Sequence, residues 1–284
     1  MKALRLSLLA ITIAAAASCI QGYDFSDNIG ICRVKDVEQI SQAGYSYIEI
    51  GIANFLVPNR PDSVWAGKYE EIKALSLPTR AANGFFPGSY SLVGPDADLQ
   101  RNLEYTETAM QRARQVGIEV FVLGSGKARR IPDGFSKEEA RAQFVLLCKG
   151  IGELGEKYGI VTVIEPLRSE ETNFINSVRE GLQIVKEVDK PYLQVLADFY
   201  HMAQEGEGPD AIIEAGEHLR HCHIAEKANR TAPGTEGDDF TPYFKALKKI
   251  GYKGRISMEC TFVEPETDIQ SAIIETKRQI HSVF

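Results

Sequence analysis

The sequence is poor in cysteine and spaces none as Cys-x-x-Cys, so neither a zinc ribbon nor a thioredoxin-like redox pair is available. Cys32, Cys222 and Cys260 fall in apolar strand-like runs and Cys148 in a helical one. That placement excludes a loop-rich disulfide scaffold and reads the four as buried thiols. Basic charge is not in excess either. The 32 Lys and Arg stand against 39 Asp and Glu, a net charge of -7 that disfavours nucleic acid as partner and favours a neutral or polar small molecule. Low-complexity tracts, composition breaks and long linkers are missing, which leaves 284 residues to form one large domain with a sizeable core. No Gly-x-Gly-x-x-Gly follows the first predicted strand, and a doubly wound open sheet is the weaker expectation for that reason.

No apolar run reaches the length of a comfortable membrane span. Leu6 to Ala17 comes nearest, preceded by Lys2 and Arg5 and closed by the small residues Ala14 to Ser18. This is the pattern of a secretory signal over residues 1–19, with the folded domain at 20–284. Cys19 after Ala16-Ala17-Ser18 resembles a lipobox, although Ala16 stands where Leu is more usual. The expectation is an exported, periplasmic protein, attached to the membrane only if Cys19 is lipidated.

What the sequence does contain is one rhythm repeated from end to end. Short β-branched runs alternate with amphipathic stretches: strand-like at Asn28 to Val34, Tyr45 to Gly51, Arg80 to Phe86, Glu119 to Leu123 and Gly159 to Leu167, then at Leu193 to Ala197, Leu219 to Ala225 and Arg255 to Thr261. Between and after them lie helical patterns, including Asp98 to Val116 and a stretch to Tyr158 opened by a capping box, with Ser136 as N-cap and Glu139 at the third helical position. Eight such units predict an α/β fold, a single (β/α)8 TIM barrel.

In such a barrel the C-terminal strand ends share one mouth. Glu165 ends the fifth strand, Asp198 the sixth, and Glu259 the eighth, while the seventh offers His221 and His223 on the same face, either of which suits a ligand. Three carboxylates and an imidazole suit one hard divalent ion, manganese or alternatively magnesium or cobalt, better than a structural zinc.

Ile164-Glu165-Pro166-Leu167, Glu171-Thr172-Asn173-Phe174-Ile175-Asn176, Ala197-Asp198-Phe199-Tyr200-His201-Met202, His221-Cys222-His223-Ile224-Ala225-Glu226 and Met258-Glu259 resemble the xylose isomerase-like TIM barrels, which include ketose 3-epimerases and sugar isomerases. The resemblance implies that Glu165, Asp198, His223 and Glu259 hold the metal and that Glu165 and Glu259 are the acid/base pair. It also implies that Glu171, His201 and Arg230 contact substrate oxygens. Apurinic endonuclease relatives use a histidine-rich multi-zinc cluster, which a chain with five histidines does not supply.

The chemistry gives these residue types a reason. A hydrogen next to a sugar carbonyl is weakly acidic, so its removal needs stabilisation of the resulting enediolate, which a divalent ion provides. One carboxylate takes the proton and a second can return it to the other face. Where ketose epimerases commonly carry Asn-Arg-Phe-Glu, this chain has Arg168-Ser169-Glu170-Glu171. With the export signal, that departure leads to the expectation of a lyase acting on 3-keto-glycosides by β-elimination. The alternative is a sugar epimerase or isomerase, and the remote one a non-catalytic carbohydrate-binding lipoprotein.

Other features carry less. Gly124-Ser125-Gly126-Lys127 reads as a tight turn rather than a phosphate loop, with Arg129 and Arg130 within reach of substrate. Glu49 ends the second strand, either lining the mouth or making a structural salt bridge. Trp65, Phe85 and Phe86 read first as packing aromatics, and His218 and His281 as helix residues without a ligand role.

Overall fold

The structure, a computed structural model, describes residues 25–284; the signal and Cys19 readings lie outside the described residues. After a 3-10 turn at Phe25–Asp27, the elements are β1 (Ile29–Ile31), α1 (Val37–Ala43), β2 (Tyr47–Gly51), α2 (Asp62–Lys73), β3 (Thr79–Asn83), α3 (Leu99–Val116), β4 (Val120–Leu123), α4 (Lys137–Tyr158) and β5 (Val161–Ile164). Then follow α5 (Val178–Val188), β6 (Leu193–Asp198), α6 (Phe199–Glu205), α7 (Asp210–Ala215), β7 (Leu219–Ile224), α8 (Thr241–Lys249), β8 (Arg255–Met258) and α9 (Pro265–His281). Each strand pairs in parallel with its sequence neighbours and β1 closes on β8, so the fold is a single (β/α)8 TIM barrel. No helix among the described residues is long and apolar enough to cross a membrane.

Local chemistry sets the helix boundaries. Asp98, Ser136 and Ser177 each accept the backbone N–H three residues on, at 3.0, 3.2 and 3.1 Å, and so satisfy a donor that the first helical turn leaves free. The capping box is half formed: Ser136 takes the Glu139 N–H, but its hydroxyl is held by Glu138 at 2.9 Å. Gly117 and Gly159 end α3 and α4 with φ of 82° and 73°, values that a side chain would strain.

Two cores result. The larger lies between sheet and helices; the smaller fills the barrel with Tyr47, Ala81, Val120, Val122, Val163 and Leu196. Gly30 makes room for the Tyr47 ring, because a Cβ at Gly30 would lie 2.2 Å from it. The rest of the interior is polar. Glu49, His221, His223 and Ser257 are buried there, all from β2, β7 and β8.

Several boundaries differ from expectation. The third strand stops at Asn83, because Gly84 turns left-handed (φ 58°) and Phe85 and Phe86 fold back to stack on each other at 4.5 Å beside Tyr105. The eighth stops at Met258, although Glu259 N–H still bonds Ile224 O at 3.3 Å. The sixth strand runs one residue past Ala197, to Asp198, and a short helix that was not expected, α6, starts at once from Phe199, capped by Asp198. A π-helical turn at Ile52–Leu56 was not expected. Cys148 and Cys222 are buried thiols, but Cys32 and Cys260 are only half-buried, since each follows a strand end and meets the mouth. Trp65 is a packing residue on α2, buried against Tyr69 and the Arg112 guanidinium. His218 falls in a 3-10 turn bonded to Gln194 and His281 in α9.

Candidate active site and metal centre

Four consecutive strands deliver four ligand candidates to one point. Glu165 follows β5, Asp198 closes β6, His223 sits in β7 level with Asp198, and Glu259 follows β8. One ligand atom from each lies within 4.8 Å of every other. His223 Nδ1 is the hub, 3.0 Å from Glu165 Oε1, 3.2 Å from Glu259 Oε2 and 4.0 Å from Asp198 Oδ2. His221 instead points at Glu49 and Ser257, at 3.0 and 3.2 Å, so of the two histidines it is His223 that joins the carboxylates.

The donor set fits a divalent ion. Asp198 divides its labour: Oδ1 caps α6 by accepting the N–H of Tyr200 and His201 at 2.8 and 3.3 Å, and Oδ2 faces the cluster. Three carboxylates packed around one imidazole are the oxygen-rich environment that hard cations prefer. Glu165 has room because Gly124 faces it, where a Cβ would stand 2.3 Å from Oε2.

The two glutamates are not equivalent. Burial, and then the charge of Glu259, push the Glu165 carboxyl above its ordinary value. Glu259 is pulled below its ordinary value: burial would raise it, but His223 and then the Arg230 guanidinium outweigh that. Arg230 pairs with Glu259 Oε2 and stands 3.5 Å from Asp198 Oδ2, while Asn83 Nδ2 donates to Glu259 Oε1 at 2.9 Å. A pair of acids whose environments drive them apart is the arrangement that acid/base chemistry uses.

His201 carries a free donor into the same space. Its Nδ1 accepts the Arg168 N–H at 3.2 Å, which places the ring proton on Nε2, and that buried Nε2 has no hydrogen-bond partner. Arg230 has φ of 53°, next to Asn229 at 55°, a left-handed pair that aims the guanidinium inward. Glu171 is a step further out, its Oε1 taking the Arg168 Nε–H at 2.9 Å. Tyr200 lies between two guanidinium groups, with Arg168 at 5.5 Å and Arg230 at 4.9 Å from its ring centroid.

With that geometry in hand, comparison with known proteins matches residues 37–278 to the family model described as a xylose isomerase-like TIM barrel. The chain belongs to the xylose isomerase-like TIM barrel family. It is 30% identical over 230 residues to an L-ribulose 3-epimerase of Methylomonas sp. strain DH-1, covering 79% of this chain and 77% of that protein. A 3-dehydro-D-guloside 4-epimerase of Escherichia coli K12 is 25% identical over 244 residues, covering 83% and 88%. Among solved structures, a D-allulose 3-epimerase from Methylomonas sp. superposes with a TM-score of 0.76 at 23% identity, over 89% of this chain and 97% of that one.

Within this family member, sequence reasoning missed three contributors and misplaced one. Asn83 was hidden inside a strand predicted to run to Phe86. Glu226 is fully buried and its carboxylate accepts the N–H of Gly234, Glu236, Gly237 and Asp238, so it shapes the loop that carries Arg230. Tyr200 was quoted without a role. Arg129 does not reach substrate; it is fully buried and its guanidinium bonds the carbonyls of Leu123, Gly124, Phe174 and Ile175, a brace between the β4 and β5 loops. Arg130 is exposed and holds Glu171 O at 3.1 Å. A cavity of about 610 Å³ opens at the other end of the barrel, among Gly159, Arg220, Tyr252 and Arg255, remote from the carboxylates.

Proposed function

We propose that this protein is a divalent-metal-dependent keto-sugar epimerase or isomerase, moving a proton on the carbon next to a sugar carbonyl. The observation that carries this reading is the convergence of Glu165, Asp198, His223 and Glu259 on one point. The relatives favour epimerisation over the lyase reading, since they are named for sugars epimerised at carbons 3 and 4.

When bound between these ligands, a divalent ion, with manganese first and magnesium or cobalt as alternatives, supplies Lewis-acid stabilisation of negative charge on the sugar oxygens. Glu165, whose carboxylate occupies the space left over Gly124, takes the proton. Glu259, pinned by Asn83 and Arg230, is the second acid/base group: it takes up a proton from solvent water and delivers it to the opposite face, while Glu165 releases the abstracted proton to solvent. The His201 Nε2–H donates to a substrate oxygen, and Arg230 neutralises developing charge. Glu171 shapes the entrance through its pair with Arg168.

The lyase alternative uses the same first step on a 3-keto-glycoside and then loses the group at the anomeric carbon. The Arg168-Ser169-Glu170-Glu171 loop favours it, because Arg168 is folded onto Glu170 and Glu171 at 3.0 and 2.9 Å, an entrance unlike the family's usual sequence there. Incubation of the metal-loaded protein with free ketoses and with a 3-keto-glucoside in deuterated water separates the readings. Solvent deuterium with inverted configuration supports the epimerase, and release of the aglycone supports the lyase. Neither product with any keto-sugar overturns both. The residue 1–19 pattern supports export to the periplasm, checked by fractionation, and mass spectrometry of the mature N-terminus tests lipid on Cys19.

A further inference from the structure

Beneath the ligand cluster lies a second polar group that the reaction does not use. Glu49 is fully buried in β2, with His223 Nε2 3.0 Å from Oε1 and His221 Nε2 3.0 Å from Oε2. Ser257 Oγ donates to Oε2 at 2.5 Å and is itself bonded to Tyr47 OH at 2.7 Å. Both oxygens are thus occupied, and the Tyr47 ring lies in the space that the absent side chain of Gly30 leaves.

We propose that Glu49 is a positioning residue for the metal centre: it holds the Nε2–H of His223 and thereby turns the Nδ1 lone pair toward the point shared by Glu165, Asp198 and Glu259. This rests on the proposed reading that an ion binds there. A neutral imidazole has one ring proton, and a buried carboxylate against Nε2 fixes it on that nitrogen. Nδ1 faces Glu165, Glu259 and Asp198 at 3.0, 3.2 and 4.0 Å, and an ion bound among them would take the proton's place on that nitrogen and leave its lone pair as the ligand. Carboxylate-to-histidine support of this kind orients a ligating ring and raises its basicity. Cys32, Glu49 and His223 also lie close enough together to hold an ion. The hydrogen bonds already on both Glu49 oxygens make that group the support of the ring rather than a second cation site.

The test measures metal binding rather than turnover. Manganese titrated into the purified full chain and into Glu49→Gln and Glu49→Ala, followed by calorimetry or by the free-ion paramagnetic resonance signal, is expected to bind 10- to 100-fold more weakly to the variants. The amide of Glu49→Gln keeps one acceptor and falls at the mild end of that range. Nitrogen-15 correlation spectra of the wild-type His223 ring, loaded with magnesium, are expected to show the proton on Nε2. A Glu49 that only stabilises the core would lower the melting temperature of the variants while leaving the affinity of the folded fraction unchanged, and that result overturns the proposal, as does a proton on Nδ1. If the variants do not fold, the wild-type ring spectrum decides. A wild-type chain that binds no divalent ion sinks the metal reading itself, and a wild type that binds tightly beside variants that bind equally well sinks only the role of Glu49.

Discussion

Gly124→Ala isolates the position of the Glu165 carboxylate from everything else. Gly124 is buried at the end of β4 and is not left-handed, so its backbone accepts alanine without strain. The new Cβ would stand 2.3 Å from Glu165 Oε2, 3.4 Å from its Cδ and 3.7 Å from Leu167 Cδ2. Only the carboxylate end is in the way, and it has to retreat by roughly 1 Å to reach an ordinary contact. Because the far end of a flexible side chain moves, the fold loses little, and the melting temperature is expected to stay within about 2 °C of wild type. The chemistry does not tolerate that shift. A misplacement of this size costs on the order of 100-fold in turnover, about 2.7 kcal/mol in the barrier. The assay is incorporation of solvent deuterium into a keto-sugar substrate at saturating metal, with melting followed in parallel. Wild-type turnover in a folded Gly124→Ala variant would falsify the placement of Glu165 at the reacting carbon.

Glu165→Gln and Glu259→Gln are each expected to lower turnover by at least 100-fold, since general acid/base groups are removed while size is kept; near-normal proton exchange in either variant sinks the two-carboxylate reading. Chelation of the bound ion is expected to lower the melting temperature, and returning manganese at about 100 times its dissociation constant to restore about 2.7 kcal/mol; melting curves that ignore both treatments contradict a resident ion. Arg129→Met removes the guanidinium from four carbonyls, of which those of Leu123 and Ile175 keep the N–H of Glu165 and Leu167 while those of Gly124 and Phe174 do not, and it is expected to cost about 3 kcal/mol by denaturant titration, with little change in metal affinity. Glu226→Ala releases four backbone N–H groups of the loop that carries Arg230, and a roughly 10-fold rise in KM with faster hydrogen exchange at residues 234–238 is expected; unchanged exchange there removes the loop from the argument.

The barrel was legible because parallel strands buried on both faces are continuous β-branched runs, such as Val161 to Ile164, and cannot be confused with their helices. The clustering of Glu165, Asp198 and Glu259 was legible because each stands where such a run stops. What escaped has a different physical origin. Asn83 and α6 depend on where a chain leaves the sheet, which Gly84 and the cap at Asp198 decide locally. Arg129 carries the same charge as Arg130 next to it, and only packing against the β5 loop buries one and exposes the other. Glu226 pairs with backbone groups of the loop after it, and backbone donors leave no mark in the sequence.

The two histidines of β7 show the limit most clearly. Period two puts His221 and His223 on the same inner face, so the sequence distinguishes them in nothing but depth. Depth in a barrel is not read along a row of strand pairs, because tilted strands make those rows climb around the axis. Following the row from Ser257 leads to Gly30 and then to Tyr47, two residues below Glu49 on β2. Yet Ser257 Oγ reaches Glu49 Oε2, so that Glu49, His221 and Ser257 share one level and His223 alone spans from that level to the mouth. A carboxylate 174 residues away in the chain therefore distinguishes ligand from support. The residue that makes one histidine useful to a cation is the one that the sequence left open between mouth and salt bridge, and the geometry assigns it to the second, paired with both histidines of β7 below the mouth.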